Sequence, residues 1–205
     1  MVKNKVNVTA CIVTYNNIGC IKPCLESIYR ETKGIDLKLY ISDNCSTDGT
    51  VELIRSEFPQ AHLIQNEKNG GFGYGHNQML PLIHSKYHAV INPDIRLEEE
   101  VLSGLIDYME KHPEVGMITP KILNPDGTEQ FLPKEDPSIR YVILSKFPFW
   151  KKFRREYTRQ DENLQKPTRI NSCTGCFFVI RTDLFKKLKG FDHRFFMYYE
   201  DADLS

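Results

Sequence analysis

Apolar and polar positions alternate along this chain in two recurring patterns, and the pair repeats. Val6 to Thr14 (VNVTACIVT) is a β-branched run that ends at the polar triplet Tyr15-Asn16-Asn17, and Ile18 to Arg30 then carries apolar residues at helical spacing. A strand followed by a helix is the expectation. Leu37 to Ser42 ends at Asp43-Asn44, Ser46-Thr47-Asp48 supply capping side chains, and Val51 to Phe58 reads as a helix stopped by Pro59. Ala61 to Gln65 makes a third strand, Asn69 to Gly75 is glycine-rich, His76 to Ser85 looks helical despite Pro81, and Tyr87 to Ile91 is a fourth strand. Glu98 to Lys111 is an amphipathic helix with an acidic first turn, as the helix dipole prefers, and Val115 to Thr119 begins a fifth strand.

Strands alternating with helices predict an α/β fold with a mostly parallel sheet covered on both faces, because right-handed crossovers place the helices there. After Thr119 the alternation stops. Asn124-Pro125-Asp126-Gly127 signals a hairpin, Leu132 to Lys166 is rich in Pro and charge, Ile170 to Ile180 resumes as strand, and Thr182 to Lys187 reads as a short helix.

The 205 residues suffice for one sizeable core, with 40% hydrophobic and 26% charged residues as in ordinary globular proteins. Twenty-seven basic and 27 acidic residues cancel, so no global charge points to nucleic acid. Met1 to Lys5 leads straight into the first strand without a secretion signal or membrane span, which makes a cytoplasmic location the default. The six cysteines lie in apolar or helical patterns and are expected as buried free thiols. Cys173-Thr-Gly-Cys176 has half of a zinc or redox spacing; without a second pair it reads as small residues packed in a strand.

In open sheets of this kind ligands sit outside the carboxyl ends of the strands, here Tyr15-Asn16, Asp43-Asn44, Asn66 and Asn92-Pro93-Asp94. Taken alone, Asn92-Pro93-Asp94 is an ordinary turn. At the tip of a central strand, within reach of Asp43, its acid suits a hard divalent cation that shares its shell with water and phosphate. Asn69-Gly-Gly-Phe-Gly-Tyr-Gly75 has no G-x-G-x-x-G register and follows the third strand, so it is not a dinucleotide fingerprint. Glycines opening a helix still let backbone amides approach a diphosphate. Near the end, Glu200, Asp201 and Asp203 follow Tyr198-Tyr199; they cannot all face one way, and an Asp crowded by aromatics can be tuned toward a general base.

Six blocks in order carry a resemblance: VTYNN (Val13 to Asn17), SDNCSTDGT (Ser42 to Thr50), NGGFGYGHN (Asn69 to Asn77), NPD (Asn92 to Asp94), GCFFVIR (Gly175 to Arg181) and GFDHRFFMYYEDADLS (Gly190 to Ser205). Together they resemble the inverting nucleotide-sugar glycosyltransferases of family 2, and among these the bacterial subgroup that includes rhamnosyltransferases of surface polysaccharide assembly. The resemblance implies a GT-A fold, a Rossmann-like and mostly parallel sheet flanked by helices with a small antiparallel extension. It implies one compact domain overall, with a nucleotide-sugar-binding half at 1–120 and an acceptor-binding half at 121–205. It further implies donor binding by Thr14, Tyr15, Asn16 and Asp43, with the glycine-rich block, including Asn69, Gly70, Gly71, Gly73 and Asn77, beside the diphosphate.

Asn92 and Asp94 match the family's Asp-x-Asp metal motif with Asn in the first place, which makes Asp94 the implied ligand of Mg2+ or Mn2+. Asp201 inherits the role of catalytic base and Glu200 that of positioning the acceptor, a glycan or polyprenyl-linked hydroxyl compound. Family members usually continue beyond EDADL, often to a His that completes the metal shell. The chain is therefore expected to be truncated at its C-terminus, with the longer protein as the transferase, and no His, His193 included, is assigned to the metal. Lys146 to Arg159 mixes Phe147, Phe149, Trp150 and Phe153 with basic residues; it suits peripheral contact with an anionic membrane on the inner face, and equally a solvated loop over the acceptor side.

Two other classes compete. A sugar-phosphate nucleotidyltransferase needs a glycine-rich basic loop after the first strand, where this chain reads TYNNIGCIK. A non-catalytic carbohydrate-binding module of the same fold is the other. Uridine- and thymidine-diphosphate sugars both stay open as donors.

Overall fold

The computed structural model describes residues 7–130, 132, 155, 157–159 and 166–205. Its first compact unit comprises the chain up to Pro120 together with Gly175–Leu204. Every residue of strand β1 (Asn7–Thr14) after Asn7 is buried, which suits the centre of a parallel sheet covered on both faces. β2 (Asp36–Asp43) and β4 (Tyr87–Ile91) pair parallel to β1 on either side, and β3 (His62–Gln65) pairs parallel outside β2.

Helix α1 (Ile21–Glu31) buries Ile21, Cys24, Leu25 and Ile28 along one stripe, and α2 (Thr50–Glu57) buries Val51 and Ile54. Asp48 starts α2 by accepting the Thr50 N–H at 3.0 Å, so of the three expected capping residues it is the one that caps. Pro59 follows the end of the helix.

Three elements differ from the sequence expectation, the first two for a local reason. The helix expected from Glu98 begins at Leu102 (α4, Leu102–Lys111), because Glu100 turns back to accept the Ser103 N–H at 2.9 Å and so caps the helix from outside. The helix expected over His76 to Ser85 is displaced towards the N-terminus. It runs Phe72–Asn77 (α3), starting from Gly71 at φ +88°, and then dissolves into turns in which Met79 and Leu80 donate to His76 and Asn77. Pro81 has no N–H with which to continue it.

The third difference concerns the sheet. Its order is β3-β2-β1-β4-β8-β5, with β8 (Phe177–Arg181) antiparallel between β4 and the short β5 (Met117–Ile118). A strand late in the chain thus separates two that follow one another in sequence. Only the last part of the expected strand Ile170 to Ile180 joins the ladder, and α5 (Thr182–Lys187) follows at once. The core gathers on both sheet faces, from Ala10, Ile12, Ile41, Val90 and Ile91 to Phe177, Phe178 and Phe185.

Lys121–Thr174 and Ser205 make the second unit. Among its described residues, β6 (Ile122–Leu123) and β7 (Glu129–Gln130) form the expected hairpin. Gly127 sits at φ +81° and donates to the Asn124 carbonyl at 2.9 Å, as the Asn-Pro-Asp-Gly signal requires.

Candidate functional site

The carboxyl ends of β1 and β2 are joined by buried polar contacts. Asp43 is 0% exposed, and its carboxylate accepts the Thr14 hydroxyl at 2.8 Å and the Ser46 N–H at 2.9 Å, with the Ser46 hydroxyl a further donor. Hydrogen bonds to the charged form repay the desolvation of a buried carboxylate. Asn16, at φ 55°, accepts the Thr47 N–H at 2.8 Å and donates its own N–H to the Ser46 hydroxyl at 2.9 Å. Ile18 N–H reaches Asp48 and Asn17 N–H reaches Thr50. The loops after β1 and β2 therefore hold each other, and Tyr15 is left 49% exposed above them.

The glycine-rich block packs against these strand ends. A methyl on Gly75 would lie 2.7 Å from Val13 of β1, one on Gly73 2.8 Å from Phe191, and one on Gly71 would collide with the Phe196 carbonyl oxygen. A side chain on Gly70 would strike Tyr74. The close approach of distant chain segments explains Gly71, Gly73 and Gly75, and the ring of Tyr74 in the same block explains Gly70. The Phe72 N–H is taken by the Phe196 carbonyl at 3.1 Å. Asn69 accepts the Gly71 N–H at 3.1 Å, and Asn44 donates to the Gly71 carbonyl at 3.0 Å, which ties the block to the end of β2. Asn77 faces the segment that leads to the carboxylate pair: its amide donates to the Phe191 carbonyl at 2.7 Å and accepts the Phe191 N–H at 2.9 Å.

Antiparallel pairing of β4 with β8 brings the start of β8 to the same edge. The Asn92 N–H donates to the Cys176 carbonyl at 2.8 Å, and Asp94 lies two residues on, exposed, in the turn that leaves β4. Next to Cys176, the Gly175 N–H donates to Asp201 Oδ2 at 2.9 Å. Asp201 stands in α6 (Glu200–Leu204), where its Oδ1 accepts the Ala202 N–H at 2.8 Å. Burial pushes the Cys176 thiol up to about 11, and the carboxylates of Asp94 and Asp201 both add to that rise. Both acids therefore lie within electrostatic reach of a single side chain.

Glu200 is 6% exposed, and its Oε2 has no hydrogen-bond partner among the described residues. Burial, with a smaller contribution from the Asp201 charge, raises its carboxyl above the ordinary glutamate range.

Two other thiols lie within electrostatic reach of Asp94. Burial raises Cys20 and lifts Cys24 to about 12, with the Asp94 charge adding to both. They remain protonated at neutral pH and offer no thiolate. None of the six cysteines is paired in a disulfide with another, and no group of three or more His, Cys, Asp or Glu among the described residues is placed to hold a metal ion. His193 sits beside Asp192, its side chain 91% exposed.

The sequence marks Asn44 as a strand-end residue and Ser46 and Asp48 as capping residues, but that they stitch the loops together follows only from contacts with residues distant in the chain. Tyr198 and Tyr199 both adopt φ near +70°, at 71° and 70°, a conformation that costs a bulky L-residue about 1–2 kcal/mol each. Of Lys146 to Arg159, the aromatic positions Phe147, Phe149, Trp150 and Phe153 lie outside the described residues. Among those described, no helix is long and apolar enough to cross a membrane.

Several known proteins are similar. An N-acetylglucosaminyl-diphospho-decaprenol L-rhamnosyltransferase of Mycobacterium tuberculosis is 27% identical over 208 residues, spanning 94% of this chain and 67% of the relative. A rhamnosyltransferase of Escherichia coli is 26% identical over 205 residues, spanning 94% of this chain and 73% of its own. Among solved structures, a mannosyltransferase from Pyrobaculum calidifontis in complex with GDP-Man and Mn2+ matches with a TM-score of 0.69 at 18% identity, over 98% of this chain and 51% of that one. S. aureus TarS in complex with UDP matches with a TM-score of 0.66 at 19% identity, over 97% of this chain and 54% of that one. The chain spans about half the length of these two structures, and the likeness to them is one of fold, the GT-A arrangement. Residues 9–189 match the family described as Glycosyl transferase family 2, and the chain belongs to that family.

Proposed function

We propose that this protein is an inverting glycosyltransferase that moves a sugar from a nucleoside-diphosphate donor to a hydroxyl of a glycan or polyprenyl-linked acceptor in surface polysaccharide synthesis. The observation that carries the reading is that the start of β8 joins the two acids' segments, with the Asn92 N–H on the Cys176 carbonyl and Asp201 on the Gly175 N–H, at the edge where β1, β2 and β4 end. In a sheet of this kind that edge is where ligands bind.

The donor lies across the loops after β1 and β2. Asp43 holds Thr14 and Ser46 in place, and through them the Tyr15-Asn16 turn, whose exposed ring offers a flat surface to the base. The carboxylate of Asp94 and the side-chain oxygen of Asn92 are hard donors among neutral thiols, which fits Mg2+ or Mn2+ and disfavours a soft, thiolate-seeking metal. One exposed acid is enough for a cation that keeps water and shares the phosphate oxygens. When bound, the cation supplies positive charge against the departing diphosphate.

Asp201 is fixed by the Gly175 and Ala202 N–H groups, and its carboxylate takes the acceptor proton. The relieved oxygen attacks the anomeric carbon on the face opposite the leaving diphosphate, so configuration inverts. Glu200, whose carboxyl burial raises above the ordinary glutamate range, orients the acceptor. Residues 1–120 carry the donor in this reading, and the acceptor comes from the side of Asp201 and the residues that precede it. A polyprenyl-linked acceptor sets the reaction at the inner face of the cell membrane.

The relatives support this reading in kind: one is named for an acceptor carried on diphospho-decaprenol, and a structure of the same fold holds GDP-Man with Mn2+. The test is release of nucleoside diphosphate from a panel of uridine- and thymidine-diphosphate sugars with Mn2+. Release that Asp94→Ala abolishes, and that Asp201→Asn lowers by about a hundredfold or more, is expected. Sugar binding without turnover would place the protein among non-catalytic modules of the same fold.

A further inference from the structure

Phe196, Met197, Tyr198 and Tyr199 stand more than half exposed immediately before Glu200 and Asp201. Shortly before them in the chain, Phe177, Phe178, Phe185 and Phe191 are all buried. Backbone geometry accounts for the contrast. At one end the Phe196 carbonyl accepts the Phe72 N–H at 3.1 Å, in space that glycine at position 71 leaves open. At the other end the Tyr199 carbonyl accepts the Asp203 N–H at 2.9 Å, which joins this strap to α6. Between the two anchors, Tyr198 and Tyr199 are both left-handed, at φ 71° and 70°. A bulky L-residue rarely adopts that conformation even singly, and such outliers gather where function requires them. Here they turn two tyrosines outward, 72% and 57% exposed, beside the residue that takes the acceptor proton.

The chemistry of the patch selects its occupant. Tyrosine joins an apolar ring to a polar tip, and a pyranose ring likewise has a C–H face and a hydroxylated rim. Charge argues against an anionic surface. The Arg194 guanidinium is engaged by Asp192, with Nε 2.8 Å from Oδ2, and α6 adds Glu200, Asp201 and Asp203 with no basic residue in its last turn.

We propose that Tyr198 and Tyr199 form the acceptor-sugar subsite, where their rings receive the C–H face of a pyranose and present one of its hydroxyls to Asp201. The proposal rests on the glycosyltransferase reading and adds to it which side chains recognise the acceptor. Tyr198 and Tyr199 set specificity; Asp201 does the chemistry.

The test separates the two claims. Saturation-transfer NMR on the protein measures binding of methyl glycosides of glucose, N-acetylglucosamine, galactose, mannose and rhamnose, without donor. At least one should bind the wild type, and Tyr198→Ala and Tyr199→Ala should weaken it about tenfold, while the Phe variants stay within about threefold. Release of nucleoside diphosphate into water, which needs no acceptor, is followed in the wild type to test the transferase reading separately. Binding of none of the glycosides, or equal binding by both Ala variants, would overturn the subsite. So would a loss in the Ala variants of binding to phosphatidylglycerol vesicles with glycoside binding intact. Failure of the wild type to release nucleoside diphosphate counts against the transferase reading alone, since the glycoside titration needs no turnover.

Discussion

Replacing Asn77 by Ala separates a residue that holds the protein together from one that touches the donor. Asn77 belongs to the block whose resemblance implies donor binding, yet its amide group is spent on the Phe191 backbone, at 2.7 Å to the carbonyl and 2.9 Å from the N–H. Phe191 is 2% exposed. Truncation leaves one buried donor and one buried acceptor without partners, each worth about 1–3 kcal/mol. Because Asn77 itself is only half-buried, water rescues part of this, and a net loss of about 2–4 kcal/mol is expected. For a chain of this size that lowers Tm by about 5–15 °C. Urea denaturation of wild type, Asn77→Asp and Asn77→Ala measures it, and the Asp variant, which keeps the acceptor for the Phe191 N–H, should fall between the other two.

The functional consequence also differs between the two roles. The segment Asn77 anchors leads through the strap to Asp201, so kcat should fall while nucleoside-diphosphate affinity stays within about threefold. The reasoning is refuted if Asn77→Ala unfolds within about 0.5 kcal/mol of wild type but binds the nucleotide more than about tenfold more weakly.

Two further perturbations probe the fold around the site. Gly71→Ala introduces a methyl at φ +88° against the Phe196 carbonyl oxygen; it should lower stability by about 2–4 kcal/mol, and a thermal midpoint unchanged from wild type would contradict the packing. His88 and His76 are fully buried; burial lowers His88 to about 3, and burial, with the proximity of His88, holds His76 well below its usual value. Unfolded histidines take a proton near pH 6.5, whereas these folded ones do not, so stability is complete above about pH 6.5 and falls as pH drops towards 3, by about 1.4 kcal/mol per pH unit for each. Urea unfolding near pH 7.5 and near pH 5 should differ by roughly 2–4 kcal/mol. Equal free energies at the two values would mean that the rings are not held neutral.

The sequence disclosed what local pattern controls. β1, β2 and β4 lie within a residue or so of their expected bounds because each is rich in apolar or β-branched residues and stops at a polar turn, and Thr182–Lys187 is a helix over the range read from it. Long-range pairing was not legible. That β8 enters antiparallel between β4 and β5 depends on which edges are open after collapse, and no spacing in Phe177–Arg181 encodes it. The glycines of Asn69 to Gly75 were legible as a place of close approach, but not what approaches, since Val13, Phe191 and Phe196 arrive from distant parts of the chain. The same holds for Asp43. A strand-end acid can face a ligand or face inward, and only the positions of Thr14 and Ser46 show that it faces inward. The αL pair at Tyr198 and Tyr199 defies residue preference altogether, as functional sites often do.

Whether Asp94 and Asp201 serve one donor and one acceptor can be measured directly by titrating Mn2+ with nucleoside diphosphate into isotope-labelled protein and following paramagnetic broadening of the amide signals. The account predicts that Asn92, Gly175 and Ala202 broaden together, while Lys38, at the other end of the sheet, stays sharp. Broadening confined to the loop around Asp94, with Gly175 and Ala202 untouched, would contradict it.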